Sequence, residues 1–232
     1  MRLFPLVLVL LLGTALDAPV ARAADYTPDV MEFDGSGGMA FATEPILTLP
    51  AGGTLEFWVA ADWQDSPGYD PILFANAGSA SVAWQVAISA DRQSLLVRSG
   101  TQEGRFAADF RDGRTHHVGI IAFSDETYVL IDGNLAAAVA MTLQEVPTDA
   151  LWVGAGYGNT RPFTGAIAGL RVWDVALEPE ELVAYALRDI TSADAGHPDI
   201  DSLVGHSRFG ERDFYITDAI VVSDADLGEE AP

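Results

Sequence analysis

The chain has 232 residues, 12 Lys+Arg against 34 Asp+Glu, and a formal net charge of -22. Every base is an arginine, and a chain this acidic repels phosphate backbones and anionic membrane surfaces, so nucleic acid is excluded as a natural partner. The lack of cysteine excludes disulfides, thiolate catalysis and cysteine-based metal centres together, while 49% hydrophobic residues suffice for one large core.

Met1-Arg2 provides a positive start, Leu6 to Leu12 is an unbroken apolar run, and Ala21-Arg22-Ala23 has the small-x-small form of a signal-peptidase site. This is the layout of a secretory signal, and the apolar run is too short to cross a bilayer. Residues 1–23 are therefore expected to be removed, leaving a mature form that starts at Ala24, is not inserted in a membrane, and is secreted or periplasmic.

Short strands then follow one another. Val30 to Phe33 precedes a glycine-rich turn, and Met39 to Thr43 follows it. Gly53 to Ala60 alternates, with Leu55, Phe57 and Val59 on one face and Glu56, Trp58 and Ala60 on the other. Further strands are expected at Ile72–Ala75, Ala83–Ser89, Ser94–Arg98 and Arg105–Phe110. His116 to Phe123, Tyr128 to Ile131 and Leu135 to Met141 read as a meander. Its second turn is Asp132-Gly133, a dipeptide suited to the positive φ angles of a tight hairpin.

Leu151-Trp152-Val153 and Ala166 to Trp173 continue the strands. Glu178-Pro179-Glu180-Glu181-Leu182 then reads as a helix start, with proline in the first turn and acids at the positive end of the dipole; the helix is expected to run to about Arg188. Residues 191–212 read as turns, 213–222 as one last strand, and 223–232 as an acidic disordered tail. The whole reads as an all-β sandwich with one short late helix, its domain spanning 24–222 around a core at 29–190.

Four segments carry a resemblance. They are Met31-Glu32-Phe33-Asp34-Gly35; Thr54-Leu55-Glu56-Phe57-Trp58-Val59; Thr115-His116-His117-Val118 with Tyr128 to Asn134; and Phe163-Thr164-Gly165-Ala166-Ile167 through Leu170 to Asp174, followed by Ala176-Leu177 and Glu180-Glu181-Leu182. In this order and spacing the chain resembles the laminin G-like and pentraxin-like group of the concanavalin A-like lectin/glucanase sandwiches. The resemblance implies a jelly roll of two antiparallel sheets and leaves activity open, because lectins, adhesion modules and glycosidases share the architecture.

Several chemistries can be weighed on the residues. Glycoside hydrolysis needs two convergent carboxylates, whereas the alternating strands offer isolated acids such as Glu56. The motifs of related lyases are not found, so the chain is read as non-catalytic, with a glycoside hydrolase or polysaccharide lyase as the remote alternative. His116 and His117 are neighbours on a strand and point to opposite faces, which suits a framework strand better than a shared metal. His197 and His206 lie in the turn-rich tail. Gly154-Ala155-Gly156-Tyr157-Gly158 is followed by a strand, so it is a loop rather than a dinucleotide fingerprint.

Asp34 and Asp70 are the two acids placed to contribute to a calcium site, Asp70 by comparison with the pentraxin-like relatives; a turn role is the favoured reading for Asp34. Where those relatives carry further acidic ligands this chain has Arg161, which suggests an Arg161–Asp70 ion pair in place of a bridging ion, and no cofactor. Two loops combine aromatic and polar residues: Trp63, Tyr69 and Asp70 in one, and Tyr157, Asn159 and Arg161 in the other. These six are the expected ligand-binding residues of a glycan- or glycoprotein-binding module that prefers neutral over polyanionic partners; the concave sheet near Trp84 is the fallback. The alternative is a structural or adhesion protein of the envelope or matrix without sugar binding.

Overall fold

A computed structural model describes residues 30–42, 49, 52–143, 150–188, 190, 196–208, 213–216 and 220–223. The expected signal at 1–23 lies outside them, as does the expected tail at 223–232 apart from Ser223, which belongs to the last strand. The strands are β1 (Val30–Asp34), β2 (Met39–Ala42), β3 (Thr54–Ala61), β4 (Ile72–Ala77), β5 (Val82–Ile88), β6 (Ser94–Ser99), β7 (Gln102–Ala107) and β8 (His116–Ala122). They continue with β9 (Thr127–Ile131), β10 (Asn134–Val139), β11 (Ala150–Val153), β12 (Thr164–Trp173), β13 (Leu203–Arg208), β14 (Asp213–Ile216) and β15 (Ile220–Ser223), with helix α1 at Pro179–Tyr185.

Among the described residues the strands form two antiparallel sheets. One runs β10-β9-β8-β3-β12-β13-β14-β15, with β1 also paired to β12, and the other runs β2-β11-β4-β5-β6-β7. The fold is a jelly-roll sandwich. Period-two alternation explains its core: Leu55, Phe57 and Val59 of β3 are fully buried, and Phe57 lies 4.6 Å from Phe74 of the facing sheet. Burying each such side chain contributes about 1.5–3 kcal/mol. The Asp132-Gly133 turn adopts φ of 51° and 75°, the paired positive values that a type I′ hairpin requires.

Helix α1 covers the outer face of the larger sheet. Leu182 packs with Ile121 and Leu130, and a Cβ on Gly119 would stand 2.7 Å from its Cδ1, so glycine lets the helix approach. Beneath this helix Glu56 is 2% exposed. Its Oε1 accepts from Arg171 Nη1 at 3.2 Å and Trp173 Nε1 at 3.1 Å, while Oε2 lies 3.1 Å from His117 Nε2. Arg171 also donates to the carbonyls of Tyr185 and Arg188, so it closes the helix C-terminus from below. Burial alone would raise the Glu56 pKa, but the Arg171 charge and the His117 contact outweigh it and bring it down to about 2.

Four readings differ from the sequence expectation. β7 begins at Gln102 instead of Arg105, and α1 ends at Tyr185, with a turn reaching Arg188. Residues 191–212, read as turns, contain β13, which pairs with the C-terminal half of β12. The stretch 213–222, read as one strand, is two, β14 and β15, extending the larger sheet beyond β13. Gly205, His206 and Ser207 interrupt the apolar alternation of β13, so only its neighbour β12 reveals it.

Candidate functional site

The two loops singled out by sequence meet at one end of the sandwich. Ile72 N donates to Arg161 O at 3.0 Å and Tyr69 OH to Pro162 O at 3.3 Å. The Trp63 ring meets Phe163 edge-on at 5.9 Å. The structure thus brings the two loops together, but it assigns their residues unequal roles.

Trp63 is 8% exposed and part of the core, with Nε1 donating to Ala90 O at 3.1 Å and Arg92 over its ring. It caps the sandwich end, which leaves little of the ring to stack on a ligand. Asp70 pairs with Arg98 at 2.6 Å and accepts from Ala90 N at 3.1 Å. The expected Arg161–Asp70 pair does not form: Arg161 has φ of 50° and makes no ion pair among the described residues. Arg98 takes its place because β6 carries it to the same sheet face. Asn159, at φ 59°, accepts from Gly38 N at 2.9 Å and ties its loop to the turn after β1. Tyr157 remains open, 41% exposed, and meets Trp152 at 5.6 Å with a 69° tilt.

Trp152 is the residue that the sequence reading missed. It stands between Leu151 and Val153, both buried in the core, so strand alternation turns it outward. Register places Trp152, Ala75, Gln85, Arg98 and Glu103 in one row across five strands of the smaller sheet. The row has an aromatic end, where Trp152 and Tyr157 meet, and a charged end, where Arg98 binds Asp70 and also Glu103 at 2.8 Å. Between them Ala75, Ala77, Ala87, Ile72 and Leu96 form a buried layer against which Trp152 packs. Trp152 Nε1 and Arg98 Nη1 are buried donors without a hydrogen-bond partner among the described residues. Trp84 is 1% exposed within the core and does not reach this face.

The donor set does not fit a calcium ion. Asp34 accepts from Ser36 N at 2.8 Å as a turn aspartate; its bonds with Ser36 hold its carboxyl below the usual range. Asp70 is held by a guanidinium and an amide, the groups a cation would have to replace. Among the described residues no group of three or more His, Asp or Glu side chains is arranged to hold a metal. The paired histidines face opposite ways: His116 bridges Asp132 (2.8 Å) and Asp112 (3.1 Å), and His117 reaches Glu56. His197 is buried and stacks on Trp173 at 4.5 Å, and beside it burial and then Asp199 push the Glu181 carboxyl up to about 7. The glycine-rich run contains a three-residue turn, Tyr157–Asn159, and then leads into β12.

No curated protein sequence matches the chain. Among solved structures, a candidate carbohydrate-binding protein from Bacteroides ovatus aligns with a TM-score of 0.61 and 16% identity over 84% of this chain, which spans 54% of that protein's length. The CBM40 module of the Ruminococcus gnavus IT-sialidase, solved with α2,3-sialyllactose, aligns at 0.56 and 16% identity over 67% of this chain and 95% of the module. A heptameric SAP-like pentraxin from Limulus polyphemus aligns at 0.55 and 15% identity over 87% of this chain and 98% of its own. These likenesses are of fold. A laminin G family profile, described as concanavalin A-like lectin/glucanases superfamily, matches residues 33–183, and the chain belongs to that family.

Proposed function

We propose that the protein is an exported, non-catalytic glycan-binding module that contacts its ligand at the Trp152–Tyr157 end of the smaller sheet. The observation that carries this reading is the aromatic pair itself, with Tyr157 41% exposed above the row that leads to Gln85 and Arg98. An aromatic face packs against the apolar side of a pyranose, while the amide and guanidinium take hydroxyl oxygens. Trp152 Nε1 and Arg98 Nη1 are further donors at this end, both buried in the free protein.

The CBM40 module supports the reading as a similar fold solved with a bound sugar. Export rests on the signal-like Met1 to Ala23 segment. A non-catalytic role is consistent with the rim acids, Asp70 and Glu103, both engaged by Arg98. A net charge of -22 favours neutral glycans over polyanionic ones.

The test is a glycan array with the mature protein, followed by calorimetry on the best hit with and without EDTA. Tyr157→Ala is expected to lose about 1–3 kcal/mol, roughly five- to 150-fold in affinity, with EDTA without effect. Silence across the array would favour a structural or adhesion role, and abolition by EDTA would overturn the calcium-free site.

A further inference from the structure

A turn fills the space between helix α1 and the end of β12, on the sheet opposite the Trp152–Tyr157 rim. It runs from Gly196 through His197-Pro198-Asp199 to a short 3-10 turn at Ile200–Ser202 and then enters β13. His197 is buried between two rings, 4.5 Å from Trp173 of β12 and 4.2 Å from Tyr185 of α1. The Tyr185 hydroxyl donates to Gly196 O at 2.7 Å, and Asp174 N donates to Ser202 O at 2.9 Å.

The polar groups between helix and turn suit an ionised carboxylate badly. Glu181 of α1, 12% exposed, places Oε1 3.4 Å from His197 Nδ1. That nitrogen accepts from the Asp199 amide at 3.1 Å, so it presents a lone pair and has no proton to offer. Oε1 itself is buried without a hydrogen-bond partner among the described residues. The Glu181 carboxyl also lies within hydrogen-bond reach of the Asp199 carboxyl, and two such groups meet as acceptors unless one carries a proton.

Among the described residues no arginine relieves this contact. Arg171 is engaged by Glu56 and by the carbonyls of Tyr185 and Arg188, while Arg188 lies over the Tyr185 ring at 4.4 Å. His206 of β13 is opposite Arg171 in register, beyond Trp173. The other charged neighbours are acids: Glu178 and Glu180 beside Pro179, Asp201 on the turn and Asp174 after β12. Burial first, and the facing Asp199 carboxyl second, push Glu181 up to about 7. They outweigh the Asp199 amide and the first turn of the helix, both of which favour the ionised form.

We propose that one proton held between Glu181 and Asp199 latches residues 197–202 to α1, and that losing it frees the turn from the helix. Neutral Glu181 donates to the Asp199 carboxylate, and no charge then faces the His197 lone pair. Release of the proton to solvent leaves two carboxylates together, a repulsion relieved when the turn moves outward. Glu181 holds its proton more tightly docked than released, so docking is complete below about pH 4.5 and weakens until the pH passes about 7. This sense is opposite to that of Glu56, whose ionised form is the stabilising one.

Amide hydrogen exchange on the mature protein tests the latch, read at about pH 5.5 and about pH 8.5 as protection factors so that intrinsic rates cancel. The reporters are Asp199 N, bonded to His197, and Asp174 N, bonded to Ser202. Their protection should fall roughly thirtyfold between the two conditions, as carboxyl pKa values of about 7 docked and 4.5 released dictate. Ile120 and Val129 inside the sheet should change by less than about twofold. Glu181→Gln keeps a donor without a titrating proton and should hold the low-pH protection in both conditions. Asp199→Asn removes the facing charge and should shrink the fall to less than about threefold. Carboxyl carbon NMR should show one glutamate titrating near pH 7 in the wild type and none there in Glu181→Gln. Protection in the wild type that ignores pH, an undiminished fall in both variants, or no carboxyl titrating above about pH 6 would overturn the proposal.

Discussion

Two regions of this sandwich are built from the same chemical groups and use them in opposite ways. Beneath α1, Glu56, Arg171, His117 and Trp173 are closed from water, and the Trp173 indole donates to Glu56. On the smaller sheet, Asp70, Glu103 and Arg98 are partly open to water, and the buried Trp152 Nε1 finds no acceptor among the described residues. The first region spends its polar atoms on joining helix to sheet. The second keeps donors and an exposed ring in reserve. Residue type alone therefore does not separate the closed region from the open one; what separates them is how far partners within the fold answer the polar atoms.

The largest effect should come from breaking the closed region. Glu56→Ala leaves Arg171 and His117 buried without their carboxylate, and breaking a buried pair this way costs about 3–5 kcal/mol. Urea denaturation should show that loss. A cost below about 1 kcal/mol would mean that the cluster relaxes freely and that the contrast with the rim does not hold.

Acid probes the same carboxylate without mutation. Its pKa is about 2 in the folded protein against an ordinary 4.5, so the unfolded chain binds more protons between those values. The stabilisation is fully present above about pH 4.5 and is lost as the pH falls towards 2. The shift corresponds to about 3 kcal/mol. Melting temperatures measured from pH 6 down to 2 should therefore fall, and Glu56→Gln should flatten that limb. An unchanged slope in the variant would assign acid lability to other groups.

Most of the architecture was legible in the sequence because it is written in local patterns. The alternation of Leu55, Phe57 and Val59 and the Asp132-Gly133 turn give strand, face and hairpin directly. The two aromatic loops were legible as neighbours, but Trp63 and Tyr157 could not be told apart. Each sits among polar residues, and only the packing of Phe163 and the Ala90 carbonyl draws Trp63 into the core. Arg98 was hidden for a different reason: its partner Asp70 lies 28 positions earlier, and register across β4, β5 and β6 decides the meeting. Trp152 did carry a local signal, a large aromatic at an outward position between two core residues, and it went unread.

The smallest effect should come from the open region, and it sharpens the contrast most directly. Arg98 joins two carboxylates, as Arg171 joins strand to helix, yet Arg98 and Asp70 remain 21% and 25% exposed. Water screens such a pair, and exposed ion pairs contribute about 0–1 kcal/mol. Arg98→Met keeps an apolar stem on the strand while removing the charge. Its unfolding free energy should therefore change by less than about 1 kcal/mol, whereas Arg171→Met should lose several times more. If the rim binds glycan as proposed, Arg98→Met should still weaken that binding, because a ligand excludes the water that screens the guanidinium in the free protein. A variant that lost stability to the same degree as Arg171→Met would make the Asp70–Arg98–Glu103 chain a structural clamp and confine the binding surface to Trp152 and Tyr157.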